Sequence, residues 1–252
     1  MCRLIFLYAV LVLACGPVFA ADLSLDAEIE AMLSLPEHPP FVKEATAKQH
    51  PRYATLLELG EALNAEVRWT KSVARAVLKL PFHPDRYRFK KDSEFDGWFD
   101  EFTTPNLILI HNQATLVILV HELRHALHLG SHGLVVGNEY DRLLIQAKRE
   151  IEKYQNGLNQ RQDLTVAKRR RMRKLSTRLV ETFSEIMAHH GDYRLTVAFD
   201  PDAIEAQKKF MRDYRNEFRR AYQELSLDQM TKRQSFMRQL PEGLEQFWAQ
   251  LF

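Results

Sequence analysis

Two histidines four residues apart, with a glutamate directly after the first, stand at His121-Glu122-Leu123-Arg124-His125. On a helix, residues four apart share a face and lie about 5–6 Å from each other. Two imidazoles so placed can converge on one metal ion, each at the roughly 2.0–2.1 Å that zinc requires. Glu122 sits one step round the helix from His121, so it can reach a water on the metal without being a ligand. The metal lowers the pKa of that water and the carboxylate takes its proton, which is the chemistry of a hydrolase. The alternative is a buried polar cluster in which both histidines are satisfied core residues.

The element that must hold this motif is a helix expected over Gln113–Leu129, apolar almost all round through Leu116-Val117-Ile118-Leu119-Val120. A helix without a polar face belongs in the middle of a domain. Gly130 stops it, and Asn138 can cap the next helix, expected to run to about Asn156. Before the motif, Leu107-Ile108-Leu109-Ile110 follows the turn signal Thr104-Pro105-Asn106 and reads as the one convincing strand. Tyr53–Leu80 reads as one or two helices, with Leu56, Leu59, Leu63 and Val67 at helical spacing. It is ended by Pro81-Phe82-His83-Pro84. A long helix is expected from about Leu164 to His190, stopped by Gly191, and another opens at Pro201 and reaches about Leu225. There is no internal repeat and no Gly/Ser linker, so residues 21–252 read as a single, mostly helical domain.

With these elements the sequence resembles the zincin metallopeptidases. The resemblance rests on the strand Asn106–His111, the HExxH helix His121–His125 and a later glutamate. It implies a mainly α fold with a small β element, the HExxH helix buried at its centre beside an edge strand. It also implies a peptide or protein substrate held by β-pairing along Asn106–Ile110, and zinc as cofactor. Arg124 departs from the uncharged residues preferred between the two histidines. The metzincin continuation is absent, because His128 stands where glycine is wanted and Ser131 where histidine is wanted. The third ligand is then a glutamate on a second helix, as in gluzincins. Glu185, followed by Ala188, matches their ExxA pattern, and Glu139 and Glu181 remain alternatives. Downstream of Glu185, Tyr193 is the catalytic candidate for oxyanion stabilisation, with His189 as another. Asp192 can orient a ligand imidazole. His111 and His128 are as easily structural as functional.

Of the 252 residues, 46% are apolar and 27% charged, with net charge +2, which excludes a disordered chain. The near-neutral balance gives no field favouring nucleic acid. Six positive charges in Lys168–Lys174 carry no interleaved aromatic for base stacking and read as a solvated helix face. Residues 1–20 follow the plan of a secretory signal: Arg3, an apolar run from Leu4 to Ala14, and Val18 and Ala20 before the cleavage point. A secreted or periplasmic protein follows. Both cysteines, Cys2 and Cys15, lie in that segment. The run Val12–Gly16 also resembles a lipoprotein box, which would place an acyl anchor on Cys15. No later stretch reaches the ~18 apolar residues of a transmembrane helix.

Overall fold

A computed structural model describes residues 24–41, 47–80, 95–130, 137–227 and 233–251. The expected signal segment with Cys2 and Cys15, the Pro81–Pro84 break and His132 lie outside the described residues. The fold is mainly helical with one small sheet. In chain order, α1 (Leu25–Leu33) and α2 (Tyr53–Ala62) precede β1 (Ala65–Thr70) and the short α3 (Val73–Val77). Then come β2 (Gly97–Asp100), β3 (Asn106–His111) and α4 (Leu116–Leu129). The rest is helical: α5 (Glu139–Gln160), α6 (Val166–Phe199), α7 (Ile204–Ser226) and α8 (Phe236–Leu251). No described helix is long and apolar enough to cross a membrane.

The sheet corrects two expectations. β3 is its central strand, parallel to β1 on one side and antiparallel to β2 on the other, so Asn106–Ile110 is not an edge. The strand at the edge next to α4 is β2, and the described residues pair with it only through β3. The second correction is β1 itself, where a helix was expected. Leu56, Leu59, Leu63 and Val67 keep helical spacing, but Asn64 adopts φ 54° and ends α2. Asparagine is one of the few residues that tolerate this left-handed conformation. Past it, Ala65, Val67 and Trp69 alternate with the exposed Glu66 and Arg68, as a half-buried strand requires. The apolar run of β3 is covered on both faces. Ile108 and Ile110 pack with α1, α2 and α4, while Leu107 and Leu109 pack with Val73 and Val77 of α3.

Two large apolar clusters flank the long helix α6. One joins α1, α2, β1, β3 and α4, with Ile29, Leu56, Leu119 and Leu123 fully buried. The other joins α5 to α8 around Phe183, Phe218, Phe236 and Leu244. α6 supplies Phe183 and Ile186 to the second and Leu195 to the first. It therefore runs through Gly191 rather than stopping there. Gly191 is buried, and a Cβ on it would lie 3.3 Å from Ile29 Cδ1, so the glycine admits α1 instead of breaking α6. The helix ends where Asp200-Pro201 stops it. α5 begins at Asn138 as expected, with a reciprocal capping box between Asn138 and Asp141, and runs four residues past the expected end to Gln160.

Candidate metal centre

α4 and α6 pack along the seam between the two clusters. Their polar residues meet there. Helical spacing brings His121 and His125 together, with Nε2 atoms 3.1 Å apart. From α6, Glu185 Oε2 lies 3.7 Å from His121 Nε2 and 3.6 Å from His125 Nε2. A tetrahedral ion with bonds of ~2.0–2.1 Å separates its ligand atoms by about 3.3 Å. The three atoms form a triangle of that size. Of the alternatives, Glu181 is paired with Arg178 at 3.4 Å, and Glu139 occupies the first turn of α5. The Glu185 side chain is 28% exposed and that of His121 12%, so the triangle is reached from solvent.

The rest of each imidazole is spoken for. His121 Nδ1 donates to Asp192 Oδ2 at 2.8 Å. His125 Nδ1 lies 2.9 Å from Ser184 Oγ. A hydrogen bond at one ring nitrogen sets which nitrogen carries the proton. With both protons on Nδ1, two Nε2 lone pairs face each other at 3.1 Å. Such a pair repels unless a proton bridges the two nitrogens or a metal ion lies between them. Two imidazole nitrogens and one carboxylate oxygen are also the donor set of a three-ligand zinc site. The residues present fit the ion.

Electrostatics make the same demand. Burial would raise the Glu185 carboxyl, but His125 and His121 hold it well below the usual range. Burial would likewise raise Asp192, and His121 with His189 hold it down. Glu122 is pushed up by burial, with His121 and His125 opposing. Burial acts to lower His121, yet Asp192, Glu185 and Glu122 together raise it well above an ordinary imidazole. Three carboxylates facing histidines draw positive charge to this spot, as a proton or as a metal.

Two residues at the triangle, Tyr214 and Gly97, carried no sequence signal of function. Tyr214 of α7 hydrogen-bonds Glu185, and its phenol is pushed up by burial and by the Glu185 charge, so it stays a neutral donor. Tyr193, the sequence candidate, is partly buried against the apolar cluster of α5–α8. His189 stacks on Phe210 and Tyr214, with ring centroids 5.0 and 5.6 Å away. Its Nδ1 lies 3.0 Å from Gln207 Oε1 and 3.2 Å from Asp192 Oδ2, and its Nε2 is 3.9 Å from Glu185 Oε2. Gly97 of β2 crosses over Glu122. A Cβ there would sit 2.5 Å from Glu122 Oε1 and 2.6 Å from Ile118 Cγ2, so only glycine leaves that carboxylate its place. His111 bonds the carbonyl of Lys71 at 3.0 Å and holds the end of the sheet.

Arg124 and His128 turn to the other side of α4. The Arg124 guanidinium bonds Asp141 at 3.0 and 3.2 Å and also pairs with Asp26 of α1. His128 Nε2 lies 2.7 Å from Asp141 Oδ1. The charge between the two motif histidines is therefore a buried structural ion pair. Comparison of the chain with models of protein families, with curated proteins and with solved structures found no match.

Proposed function

We propose that the chain is an exported zinc-dependent hydrolase, a gluzincin-like metallopeptidase acting on a peptide or protein. The observation that carries this reading is the triangle of His121 Nε2, His125 Nε2 and Glu185 Oε2, with edges of 3.1 to 3.7 Å. Zinc held there would polarise a scissile carbonyl and acidify a water.

The chain's own groups do the rest. Glu122 takes a proton from the attacking water as its oxygen bonds to the carbonyl carbon. It then passes that proton to the leaving amine nitrogen as the C–N bond breaks. Burial, which raises the Glu122 carboxyl, moves it toward the range in which such transfers run both ways. Asp192 keeps the His121 proton on Nδ1, and Tyr214 holds the Glu185 carboxylate in place. An extended substrate would pair with the outer edge of β2, whose Gly97 lies directly over Glu122. Export follows from the signal-like residues 1–20.

The test is the mature chain beside its Glu122→Gln variant on a broad peptide library, with zinc content measured for both. The expected result is zinc in both proteins and a loss of hydrolysis of about 10²–10⁴-fold in the variant. A variant as active as the parent, or a zinc-loaded parent that cleaves nothing, overturns the catalytic reading. The second outcome would leave a metal-binding protein.

A further inference from the structure

His128 is fully buried and lies outside the metal triangle, yet it is tied to the triangle through one hydroxyl. Its Nδ1 is 2.9 Å from Ser184 Oγ, the same oxygen that lies 2.9 Å from His125 Nδ1. Its Nε2 is 2.7 Å from Asp141 Oδ1.

The direction of every bond in this chain follows from one end. Asp141 is fully buried and accepts from Arg124 at 3.0 and 3.2 Å and from the Asn138 amide at 2.9 Å. Burial would raise its carboxyl, but Arg124 and His128 take it down to about 2, so it is ionised and can only accept. His128 must therefore carry its proton on Nε2. Burial keeps that ring neutral, which leaves Nδ1 bare and able only to accept. A serine hydroxyl has a single proton to donate, and here it goes to His128. Ser184 Oγ can then only accept from His125, which fixes the His125 proton on Nδ1 and leaves Nε2 bare.

We infer that His128 is a positioning residue: acting through Ser184, it locks His125 in the tautomer whose Nε2 lone pair points into the metal triangle. The inference rests on the reading of His125 as a ligand only for its consequence, not for the tautomer itself. Without His128 the Ser184 proton is free to turn toward His125 Nδ1. The imidazole can then carry its proton on Nε2, where it blocks the metal. Outer hydrogen-bond partners of this kind change metal affinity by about 10- to 100-fold.

Three variants test it. His128→Gln keeps a donor for Asp141 but removes the ring nitrogen placed to accept from Ser184, Ser184→Ala removes the hydroxyl, and Ser184→Thr restores one. Long-range nitrogen–proton NMR of the imidazoles, on metal-free protein at mildly alkaline pH, reads the tautomer directly. The wild type and S184T are expected to show His125 protonated on Nδ1, while S184A and H128Q show a population protonated on Nε2. Zinc competition titrations are expected to weaken about 10- to 100-fold in S184A and H128Q, with S184T within a few-fold of wild type. Circular dichroism checks that each variant is folded, and S184A, which deletes a single oxygen, stands in if H128Q does not fold. An unchanged His125 tautomer in S184A overturns the inference even if zinc binds. Wild-type protein that binds no zinc but shows the expected tautomer shift overturns the metal reading and leaves the relay standing.

Discussion

Around Arg124 the buried charges pair within the chain, Arg124 with Asp141, while the second carboxylate, Asp26, is one-third exposed to water. One guanidinium faces Asp141 and Asp26, and the adjacent His128 is kept neutral by burial. Around His121, three residues earlier on the same helix, the carboxylates of Glu122, Glu185 and Asp192 interact with histidines. Both clusters set carboxylates against basic side chains and both are largely buried. They differ in whether the positive charge is covalently part of the chain. Uncompensated buried charge is costly in a low-dielectric interior. The first cluster has its cation built in, and the second sets three carboxylates against histidines, which supply positive charge only by taking up a proton. The contrast separates a buried ion pair from the site proposed to take a metal.

The largest expected effect breaks the paired side. Arg124→Met leaves Asp141 and Asp26 without their cation, and denaturant unfolding of the metal-free protein should show a loss of about 3–5 kcal/mol. An unchanged midpoint would mean that the pair is not what stabilises this end of α4. Next, Glu185→Ala should weaken zinc binding by roughly 100- to 1,000-fold in competition titrations, since it removes one of the three proposed ligands. If R124M weakened zinc as much as E185A, the two clusters would not be separable.

A smaller effect tests how far the Arg124 charge reaches. His190 packs its ring on Phe247, and burial, followed by Arg194 and Arg124, lowers it from 6.5 to about 4. Between those two pH values the unfolded chain binds the proton and the folded chain does not. Stability must therefore fall as pH drops from 6.5 toward 4, by about 3 kcal/mol, and level off below. His190→Gln should remove that slope, and unfolding curves across the interval measure it. The smallest effect belongs to the open cluster. Glu122 is pushed up by burial and by its carboxylate neighbours, so at neutral pH the folded state disfavours its charge. Glu122→Gln should raise the metal-free melting temperature, by roughly 2–4 °C for each kcal/mol of strain relieved. A lower melting temperature would show that the carboxylate stabilises the fold instead.

Much of this arrangement was legible in the chain because it is local. The His121–His125 spacing, the start of α5 at Asn138 and the buried run of β3 depend on neighbours within a few residues. Asp192 could also be expected to orient a ligand, and it does contact His121. The failures came where a local pattern has two readings. Val67 continued a helical stripe but lies in β1, because Asn64 takes a conformation that spacing does not report. Gly191 looks like a helix stop and is a contact with α1. β3 looked like an edge because nothing in its own sequence says that β1 returns beside it.

The chain alone determined that two imidazoles and a glutamate share one helical turn, since the α-helical repeat places residues four apart on one face whatever surrounds them. Only the tertiary structure decided which distant carboxylate meets them. Glu139, Glu181 and Glu185 are all helical glutamates. Glu185 comes into place because the apolar stripe of α6, through Phe183, Ile186 and Leu195, bridges the two cores and turns that one position toward α4. The same packing brought Tyr214 and the strand carrying Gly97 to the site from elsewhere in the chain. Burial of distant apolar surfaces selects such neighbours, and no spacing along the sequence records it.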